Sequence, residues 1–409
     1  MNYREAYEKL ESAGQTHLLK YYDTLNEEEK NSLLREIESL DLSFLSLIDE
    51  PDQPTRPDDR IEPLPAMTAE EIEAEREELE KLGIETIRAG KTAAVLLAGG
   101  QGTRLGFDHP KGMYDLGLTK PRYIFQCLFE NLLDVTNKAG AYIPFCIMTS
   151  EINHDETVAF LKEKSYFGYP EEYVRFFVQD MAPCTDFDGK IYLASRSHIA
   201  MSPNGNGGWY HSMKKAGLDR ELKARGVEYL SAFAVDNVLQ RINDPAFVGA
   251  VVRSNTDVGS KAIAKADPYE RVGVLCRKNG HPSIVEYYEI TDDMANLRDE
   301  SGRLLYRYGV ILNYLFKLDK LENVVSKRMP VHMAKKKIPY LNEGGVFVKP
   351  ETPNGYKFEL LILDMIELMD SSLAYEVRRE KEFAPVKNPN GVDSVESARE
   401  LLKLNGIEL

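Results

Sequence analysis

The first part of the chain has the polar and apolar pattern of short helices. Up to about residue 48, Leu and Ile recur at helical spacing among charged residues, as in "NEEEKNSLLREIESL", and this period predicts amphipathic helices. Residues 50–67 are rich in Pro and Asp and predict a linker or a segment wrapped over a surface. Thr68 and Glu71 form a capping-box pattern, which predicts that a helix begins there.

From Thr92 onwards the pattern changes to apolar runs of strand length. These runs are "TAAVLLA", "YIPFCIMTS", "VRFFV", "YLSAFAV", "FVGAVV" and "VGVLC". Several are separated by helix-like stretches such as "RYIFQCLFENLLDVTNKAG". The alternation predicts an α/β fold with a central, mostly parallel, Rossmann-like sheet covered by helices on both faces. We expect a helical region at 1–90, an α/β domain at 91–330 and a C-terminal region at 331–409. The polar tail from about Glu376 predicts a small peripheral element.

Composition and charge narrow the possible functions. The formal net charge is −15, from 66 acidic and 51 basic residues, and this argues against a nucleic-acid or anionic-membrane binder. The four cysteines lie far apart without a CxxC pair, which suits a reducing cytosol and offers no zinc site. The N-terminus lacks the apolar core of a signal peptide, and no apolar run approaches ~18 residues. We therefore expect a cytoplasmic protein without a membrane span.

A glycine-rich loop, "LLAGGQGTRLGFDHPKG" at 96–112, follows the first of these strands. Its glycines predict a backbone that wraps a polyphosphate, while Arg104 and Lys111 neutralise phosphoryl charge. It is not a P-loop, because Gly-Lys-Ser/Thr is missing. It is not the dinucleotide fingerprint either, because the third glycine, Gly106, comes one residue late. The alternative is a tight turn with a solvated arginine, but the strand ahead and the two cations favour a phosphate site.

Other candidate residues stand at the ends of predicted strands or in loops. Asp236 follows "YLSAFAV", where its carboxylate could bind Mg²⁺ or merely cap the next helix; we favour the metal. The loop "SPNGNGGWY" alone predicts a surface hairpin, and "IVEYYEI" alternates like a half-exposed strand. The lysines of "HMAKKKIPY" would ordinarily form a solvated face.

Taken together, these motifs resemble one enzyme family. "LAGGQGTRLG" with "PKG" is similar to the signature of the UTP-dependent sugar-1-phosphate uridylyltransferases, of the UDP-N-acetylglucosamine pyrophosphorylase type. Further matching stretches, among them "FFVQDMAP", "PNGNGGWY", "AVDNVL", "VEYYEI" and "KKIPY", extend the resemblance over nearly the whole chain. It implies formation of a UDP-sugar and pyrophosphate from UTP and a sugar-1-phosphate, with Mg²⁺. The α/β domain would then bind the nucleotide sugar, and the C-terminal region would close the sugar-phosphate site.

The resemblance also implies a role for individual residues. It gives Arg104 and Lys111 catalytic roles and makes Asp236 the metal ligand. The nucleotide-binding residues that it implies are Leu97, Ala98, Gly99, Gly100, Gly102, Thr103, Gln179, Asn206 and Gly207. The sugar-binding residues are Gly273, Glu286, Tyr287 and Asn313. Lys337 and, more weakly, Lys357 would bind phosphate.

At one position the chain departs from the family pattern. The family has Gly-Asn where this chain has Gly309-Val310, and that asparagine contacts the sugar. Valine offers no hydrogen-bonding side chain, so we expect a looser or altered sugar choice. N-Acetylglucosamine-1-phosphate would lead, with glucose- or galactose-1-phosphate close behind. Asn313 could compensate, but on an ideal strand its three-residue offset directs it to the opposite face.

Two other function classes make different demands on the sequence. A dinucleotide-dependent oxidoreductase requires the G-x-G-x-x-G spacing, which fails here. A non-catalytic nucleotide-sugar sensor would be expected to have lost Arg104, Lys111 or Asp236, and all three are present. The sequence therefore favours an active uridylyltransferase and leaves its oligomeric state open.

Overall fold

The computed structural model describes residues 1–49, 59–327 and 329–409. The α-helices in these residues are α1 (Tyr3–Glu11), α2 (Glu27–Ser39), α3 (Ser46–Asp49), α4 (Ala69–Arg88), α5 (Ile124–Ala139), α6 (His154–Glu163), α7 (Trp209–Lys215), α8 (Leu218–Ala224), α9 (Pro245–Ser254), α10 (Asp292–Asn296), α11 (Leu318–Ser326), α12 (Asp364–Glu367), α13 (Arg379–Glu382) and α14 (Val395–Leu404). The strands are β1 (Ile61–Pro63), β2 (Ala66–Met67), β3 (Thr92–Leu97), β4 (Phe145–Thr149), β5 (Val174–Val178), β6 (Met181–Pro183), β7 (Met201–Pro203), β8 (Tyr229–Ala234), β9 (Val258–Ala264), β10 (Val274–Lys278), β11 (His281–Val285), β12 (Tyr308–Lys317), β13 (His332–Lys336), β14 (Tyr340–Leu341), β15 (Phe347–Val348), β16 (Gly355–Glu359) and β17 (Ser372–Glu376).

These residues form two compact units, each made of several chain segments. The smaller unit takes the described parts of Met1–Pro54, Asp180–Gly208 and Met329–Ile362. The larger unit takes those of Thr55–Gln179, Trp209–Arg328 and Leu363–Leu409. This division differs from the three consecutive segments expected from the sequence, since α4 belongs to the larger unit while α1 to α3 belong to the smaller one.

The larger unit is built on one sheet of eleven strands. Its main order is β2-β17-β9-β12-β8-β3-β4-β5, and β10 joins β12 and carries β11 and β1. β3 pairs in parallel with both β4 and β8, whereas β12 runs antiparallel between β8 and β9. Every residue of β3 and β4 is buried, as expected of strands covered on both faces. The predicted α/β class with a mostly parallel sheet is confirmed.

The helices of the larger unit begin and pack for local reasons. Thr68 and Glu71 form the predicted capping box at the start of α4. α4 packs directly against α9, where a Cβ on Gly83 would overlap Pro245 and one on Gly249 would overlap the backbone of Leu79. Two glycines therefore allow these helices to approach more closely than side chains would permit.

Two expectations about this unit are wrong. The run "FVGAVV" forms part of α9 rather than a strand, because Pro245 begins a helix that is buried along most of its length; a continuous apolar run does not separate a buried helix from a buried strand. The tail after Glu376 is small but not peripheral. Phe383, Ala384 and Val386 are buried, and α14 contributes an apolar stripe to the main core.

The Pro-rich stretch at 50–67 falls partly outside the described residues, namely at 50–58. Its remainder supplies β1, which pairs with β10, and β2, which pairs in parallel with β17. The described helices include none with the length and apolarity that a bilayer crossing requires.

The smaller unit combines the N-terminal helices with three two-stranded antiparallel sheets. These sheets are β6–β7, β13–β16 and β14–β15. Leu10, Leu33 and Ile37 of α1 and α2 pack in one cluster with Ile191 and Ile199. The predicted amphipathic helices are thus confirmed, and their apolar stripes bury against a segment about 150 residues later in the chain.

Candidate active site

The glycine-rich loop leaves the carboxyl end of β3, and its glycines serve different purposes. A Cβ on Gly99 would overlap the side-chain amide of Gln179, and one on Gly102 would lie 2.8 Å from the Phe107 ring. Gly106 has a φ of +69°, a left-handed conformation that favours glycine. At Gly100 nothing lies within 4 Å of a Cβ, and the residue is exposed. Gly100 is therefore the position where the backbone is open to a ligand.

Hydrogen bonds hold this loop in place. The N–H of Lys111 donates to the carbonyl of Gly100 over 3.2 Å, and the N–H of Gly102 donates to the carbonyl of His109 over 2.9 Å. The buried side chain of Asn153 donates to the carbonyl of Ala98 at 2.9 Å and reaches that of Gly100 at 3.4 Å. Asn153 is at the N-cap of α6 but does not cap it. Its bonds to these two carbonyls explain this, and no local sequence pattern indicates the contact.

Several backbone N–H groups of the loop are available to a ligand. Among the described residues, no protein group accepts a hydrogen bond from the N–H of Gly99, Gly100 or Gln101. Leu97 and Ala98, also predicted to bind nucleotide, are buried at the end of β3, and the N–H of Ala98 donates to Met148 of β4. Consecutive free N–H groups at a strand end are typical of anion-binding backbone.

Asp236 and Lys111 meet at the same edge of the sheet. Asp236 lies just beyond β8, the parallel neighbour of β3, and Lys111 begins the 3₁₀ helix Lys111–Met113. The Lys111 Nζ is 4.0 Å from the Asp236 Oδ2, and the two side chains are only 16% and 23% exposed. The structure thus brings together two residues that are 125 positions apart in the sequence.

Two further cations surround this pair. Burial lowers the pKa of the Lys111 ammonium, and the charges of Lys387 and Arg104 lower it further, while Asp236 acts in the opposite direction. Arg104 and Thr103 are exposed in the 3₁₀ helix Thr103–Leu105. Lys387 was not predicted from the sequence, because "PVKNPNG" has no feature that distinguishes its lysine from a surface residue. Lys387 is itself paired with Asp393, 3.0 Å away. The site therefore combines Lys111, Arg104 and Lys387 with the carboxylate of Asp236, and such a cluster of cations suits a polyanionic ligand.

Asp236 can bind a metal only together with a ligand. No three His, Cys, Asp or Glu side chains gather into a metal cage in the described part of the chain. Mg²⁺ commonly uses one or two protein carboxylates and completes its shell with waters and substrate phosphates. A partly exposed carboxylate at the carboxyl edge of the sheet, beside a lysine, fits that mode. Asp236 is the residue that could hold such an ion.

The predicted sugar residues Gly273 and Glu286 lie together with Val310. The N–H of Val310 donates to the carbonyl of Gly273 over 2.9 Å. A Cβ on Gly273 would lie 2.8 Å from Ile284 Cγ2, 3.5 Å from Val310 Cγ2 and 3.8 Å from Glu286 Oε2. Glu286 and Tyr287 come after β11 ends rather than within the alternating strand that was expected, and Tyr287 is 43% exposed.

Asn313, another predicted sugar residue, is in different surroundings. It is fully buried, and its side chain donates to Gln240 Oε1 at 3.3 Å and to the carbonyl of Arg241 at 3.4 Å. The strand is not ideal here, because its register to β9 shifts between Val310 and Tyr314, and Leu312 has a φ of +53°. The simple alternation argument therefore does not apply at Asn313.

The register of β12 relates Val310 to Asp236. Asn313 pairs with Phe233 in the antiparallel ladder of β12 and β8. Because the two strands are antiparallel, the chain from Asn313 back to Val310 and the chain from Phe233 forward to Asp236 run toward the same end of the sheet. The cluster formed by Gly273, Ile284, Glu286 and Val310, here called the sugar-side cluster, thus lies toward the same end of the sheet as Asp236.

The remaining residues predicted to bind the nucleotide are Gln179, Asn206 and Gly207. Gln179 follows β5, is 6% exposed and donates its N–H to the carbonyl of Thr149 at 2.8 Å. In the smaller unit, Asn206 Oδ1 accepts the N–H of Ile362 at 2.9 Å, and the N–H of Gly207 donates to Leu360 at 2.8 Å. The "PNGNGG" loop is therefore a short 3₁₀ helix with buried glycines rather than a surface hairpin.

The predicted phosphate lysines both belong to the smaller unit. Lys337 is exposed and directly follows β13, while Lys357 is half-buried on β16, the partner of β13. Burial raises the pKa of the Cys184 thiol, against smaller lowering effects of a hydrogen bond with Ser202 and of the Lys357 charge. The proposed roles of both lysines toward phosphate stay predictions.

The fold and this site define a class of protein: a nucleotidyltransferase that handles phosphates at the carboxyl edge of an α/β sheet. A family model described as UTP–glucose-1-phosphate uridylyltransferase matches residues 44–405, and the chain belongs to this family.

Among its relatives, the human UDP-N-acetylhexosamine pyrophosphorylase-like protein 1 is 37% identical over 96% of this chain and 82% of its own length. The UDP-N-acetylglucosamine pyrophosphorylase of Saccharomyces cerevisiae is 38% identical over 83% and 74%. The structure of the Trypanosoma brucei UDP-N-acetylglucosamine pyrophosphorylase with an inhibitor superposes with a TM-score of 0.83 at 28% identity, covering 98% of this chain and 84% of that one.

Proposed function

We propose that this protein is a magnesium-dependent uridylyltransferase that converts UTP and N-acetylglucosamine-1-phosphate into UDP-N-acetylglucosamine and pyrophosphate. The observation that carries the proposal is the contact of Lys111 with Asp236 beside the open glycine loop. The names of the human, yeast and trypanosomal relatives support it. A cytoplasmic location is part of the proposal and is supported by four buried cysteines without disulfides in the described residues.

Uridylyl transfer requires little covalent chemistry from the protein itself. A phosphate oxygen of the sugar-1-phosphate attacks the α-phosphorus of UTP, a new P–O bond forms, and the bond to the bridging α–β oxygen breaks as pyrophosphate leaves. Because the nucleophile is already an anion at neutral pH, no general base is needed. Catalysis then depends on positioning and on stabilising charge.

The residues of the site match these two tasks. Lys111 and Arg104 stabilise the charge that moves onto the transferred and leaving phosphates. The free N–H groups of the loop orient the triphosphate. Asp236 would hold Mg²⁺, and the ion when bound supplies further neutralisation of phosphoryl oxygens. Gln179 carries both a donor and an acceptor, as a partner for the uracil edge requires.

The sugar-side cluster favours a second candidate substrate. Val310 and Ile284 give the wall beside Glu286 an apolar surface, and neither of these two side chains can hydrogen-bond to a polar substituent of the sugar. This supports glucose- or galactose-1-phosphate as alternative substrates of the same reaction. A non-catalytic sensor has no comparable support, since Arg104, Lys111 and Asp236 are all present.

One assay tests the proposed function. Pyrophosphate release is measured with UTP, Mg²⁺ and a panel of N-acetylglucosamine-, glucose- and galactose-1-phosphate. We expect turnover with at least the first, and loss of turnover in Lys111→Ala. Lys138→Ala is the matched control, because Lys138 forms only an exposed 3.0 Å pair with Asp134 on α5. No pyrophosphate release with any of the three sugars would overturn the proposal.

A further inference from the structure

Three charged side chains meet deep inside the larger unit, away from solvent. The Lys261 Nζ is 2.5 Å from Glu382 Oε2 and 3.3 Å from Asp244 Oδ2. Lys261 is fully buried, and the side chains of Asp244 and Glu382 are 5% and 10% exposed. We refer to these three residues as the buried triad. None of them belongs to the predicted substrate-binding residues.

The charges of the triad are balanced by one more residue. The Arg241 Nε is 3.9 Å from the other carboxylate oxygen of Asp244, so two cations face two carboxylates. Lys261 and Arg241 hold the pKa of Asp244 below its usual range, whereas burial raises the pKa of Glu382. A buried ion pair contributes little net stability, because desolvation offsets most of the attraction. The triad therefore calls for an explanation other than stability.

Two members of the triad depart from local structural preference. Lys261 stands in the middle of β9, a strand that is otherwise uncharged and is buried at every residue except its last, Ala264. Asp244 occupies the N-cap of α9, yet its side chain makes no capping hydrogen bond, although aspartate favours that role. The Lys261 side chain contacts both carboxylates, and the Asp244 side chain contacts Lys261 and Arg241 instead of capping its helix.

Glu382 begins a segment that is hydrogen-bonded to the loop carrying Asp236. The carbonyl of Glu382 accepts from Asn237 Nδ2 at 2.7 Å, and Asn237 Oδ1 accepts the N–H of Ala384 at 2.9 Å. The N–H of Val386 then donates to the carbonyl of Asp236 at 2.9 Å. Lys387, whose charge acts on Lys111, is the next residue.

The opposite end of the Asp236 loop is attached to the same lysine. The Lys261 Nζ donates to the carbonyl of Arg241 at 3.2 Å, and Asp244 follows three residues later. Lys261 is thus bonded to the loop 235–244 through Arg241 and Asp244, and to the segment 382–387 through Glu382.

We propose that Lys261 is a positioning residue for the active site, which fixes the loop of Asp236 and the segment of Lys387 relative to each other through Asp244 and Glu382. This inference rests on the proposed function, because that function assigns Asp236, and Lys111 on which the charge of Lys387 acts, to phosphate chemistry. Removing the anchor would let both groups shift from their places around the phosphates. A misplacement of about 1 Å costs roughly 10²-fold in rate.

The test uses the double variant Lys261→Met with Glu382→Gln. It removes one buried charge of each sign and leaves Asp244 paired with Arg241, so that no buried carboxylate is left alone. We expect kcat to fall about 10²-fold, with KM for the sugar-1-phosphate changed much less. We also expect faster amide hydrogen exchange at 235–244 and 382–388 in the full chain without substrate, while β3 and β8 stay protected.

The control is Lys214→Met with Glu322→Gln, which removes a lysine–glutamate contact between α7 and α11 in the same unit. We expect it to leave kcat and the exchange of both segments unchanged. Wild-type kcat and exchange in the triad variant would overturn the inference. So would an activity loss that merely follows the unfolded fraction, with exchange raised across the whole sheet. If the wild type itself releases no pyrophosphate, the proposed function fails. The hydrogen-exchange measurement still decides whether the buried triad holds the segments 235–244 and 382–388 in place.

Discussion

The two parts of the candidate site are built on different physical principles. Around Lys111 and Asp236, charged groups from three separate stretches of chain are fixed by backbone hydrogen bonds and by attraction between opposite charges. In the sugar-side cluster, Gly273, Ile284 and Val310 lie beside the carboxylate of Glu286, and these neighbours offer shape rather than charge. Changes in the first part should therefore affect the rate of chemistry, and changes in the second should affect which sugar is selected.

The largest expected effect is at Asp236. Asp236→Ala removes the carboxylate that pairs with Lys111, and we expect turnover to be lost. Because the side chain is partly exposed, and its contact with Lys111 is 4.0 Å long, the fold should survive. Circular dichroism and pyrophosphate release measure both outcomes. Near-normal activity at saturating Mg²⁺ would show that Asp236 is not the metal ligand.

The cations of the loop should come next. Removing one donor that stabilises transition-state charge costs about 10²–10³ in rate, and we expect this drop in kcat for Lys111→Ala and for Arg104→Ala. Arg104→Lys should restore little, because an ammonium does not reproduce the guanidinium fork. If only the KM for the sugar-1-phosphate rose, the loop would bind sugar and the contrast between the two parts would disappear.

A change in the sugar-side cluster should act on selectivity alone. Val310→Asn supplies a hydrogen-bonding group beside Glu286 and Gly273. An unpaired buried polar group costs about 1–3 kcal/mol, so we expect the preference for N-acetylglucosamine-1-phosphate over glucose-1-phosphate to rise roughly ten- to a hundredfold. Ratios of kcat/KM for the two sugars measure this. A wild type that already discriminates a thousandfold or more would show that Val310 is not a weak point.

The smallest expected effect is a shift in pH dependence. Burial and the nearby cations lower the pKa of Lys111 from the ordinary value of 10.5, so the ammonium loses its proton at a lower pH than a free lysine does. We expect kcat/KM, which reports the free enzyme, to fall on the alkaline side before pH 10.5. Lys111→Arg keeps its charge and should remove this fall. An identical alkaline limb in that variant would assign it to another group.

Much of the site could be predicted, because its residues stand at the ends of apolar strands. Carboxyl ends of parallel strands meet at one edge, which is why the glycine loop after β3 and Asp236 after β8 could both be assigned to a ligand site. Lys387 and Asn153 could not be found in this way. Each lies in a polar stretch, and its neighbours in space come from distant parts of the chain. A local sequence pattern does not predict such contacts.

The errors in the fold have a similar origin. "FVGAVV" is apolar without interruption, so the spacing of its apolar residues does not distinguish a helix from a strand. The packing of α9 against α4 decides that this run is helical. The tail after Glu376 is polar in its overall composition, yet Phe383 and Val386 are buried in the main core. Local composition predicts burial poorly where a short segment fills a gap in a larger core.

The sequence by itself determined the class of fold, the capping of α4, the glycine loop and the side chains predicted to bind phosphate there, because strand runs, caps and tight backbone approaches depend on adjacent residues. Only the tertiary structure decided that Gly99 must leave room for Gln179, that Val310 stands beside Glu286, and that Lys261 connects the Asp236 loop with the Lys387 segment. Those facts depend on which strands are neighbours and on their register, which arise from the packing of the whole core.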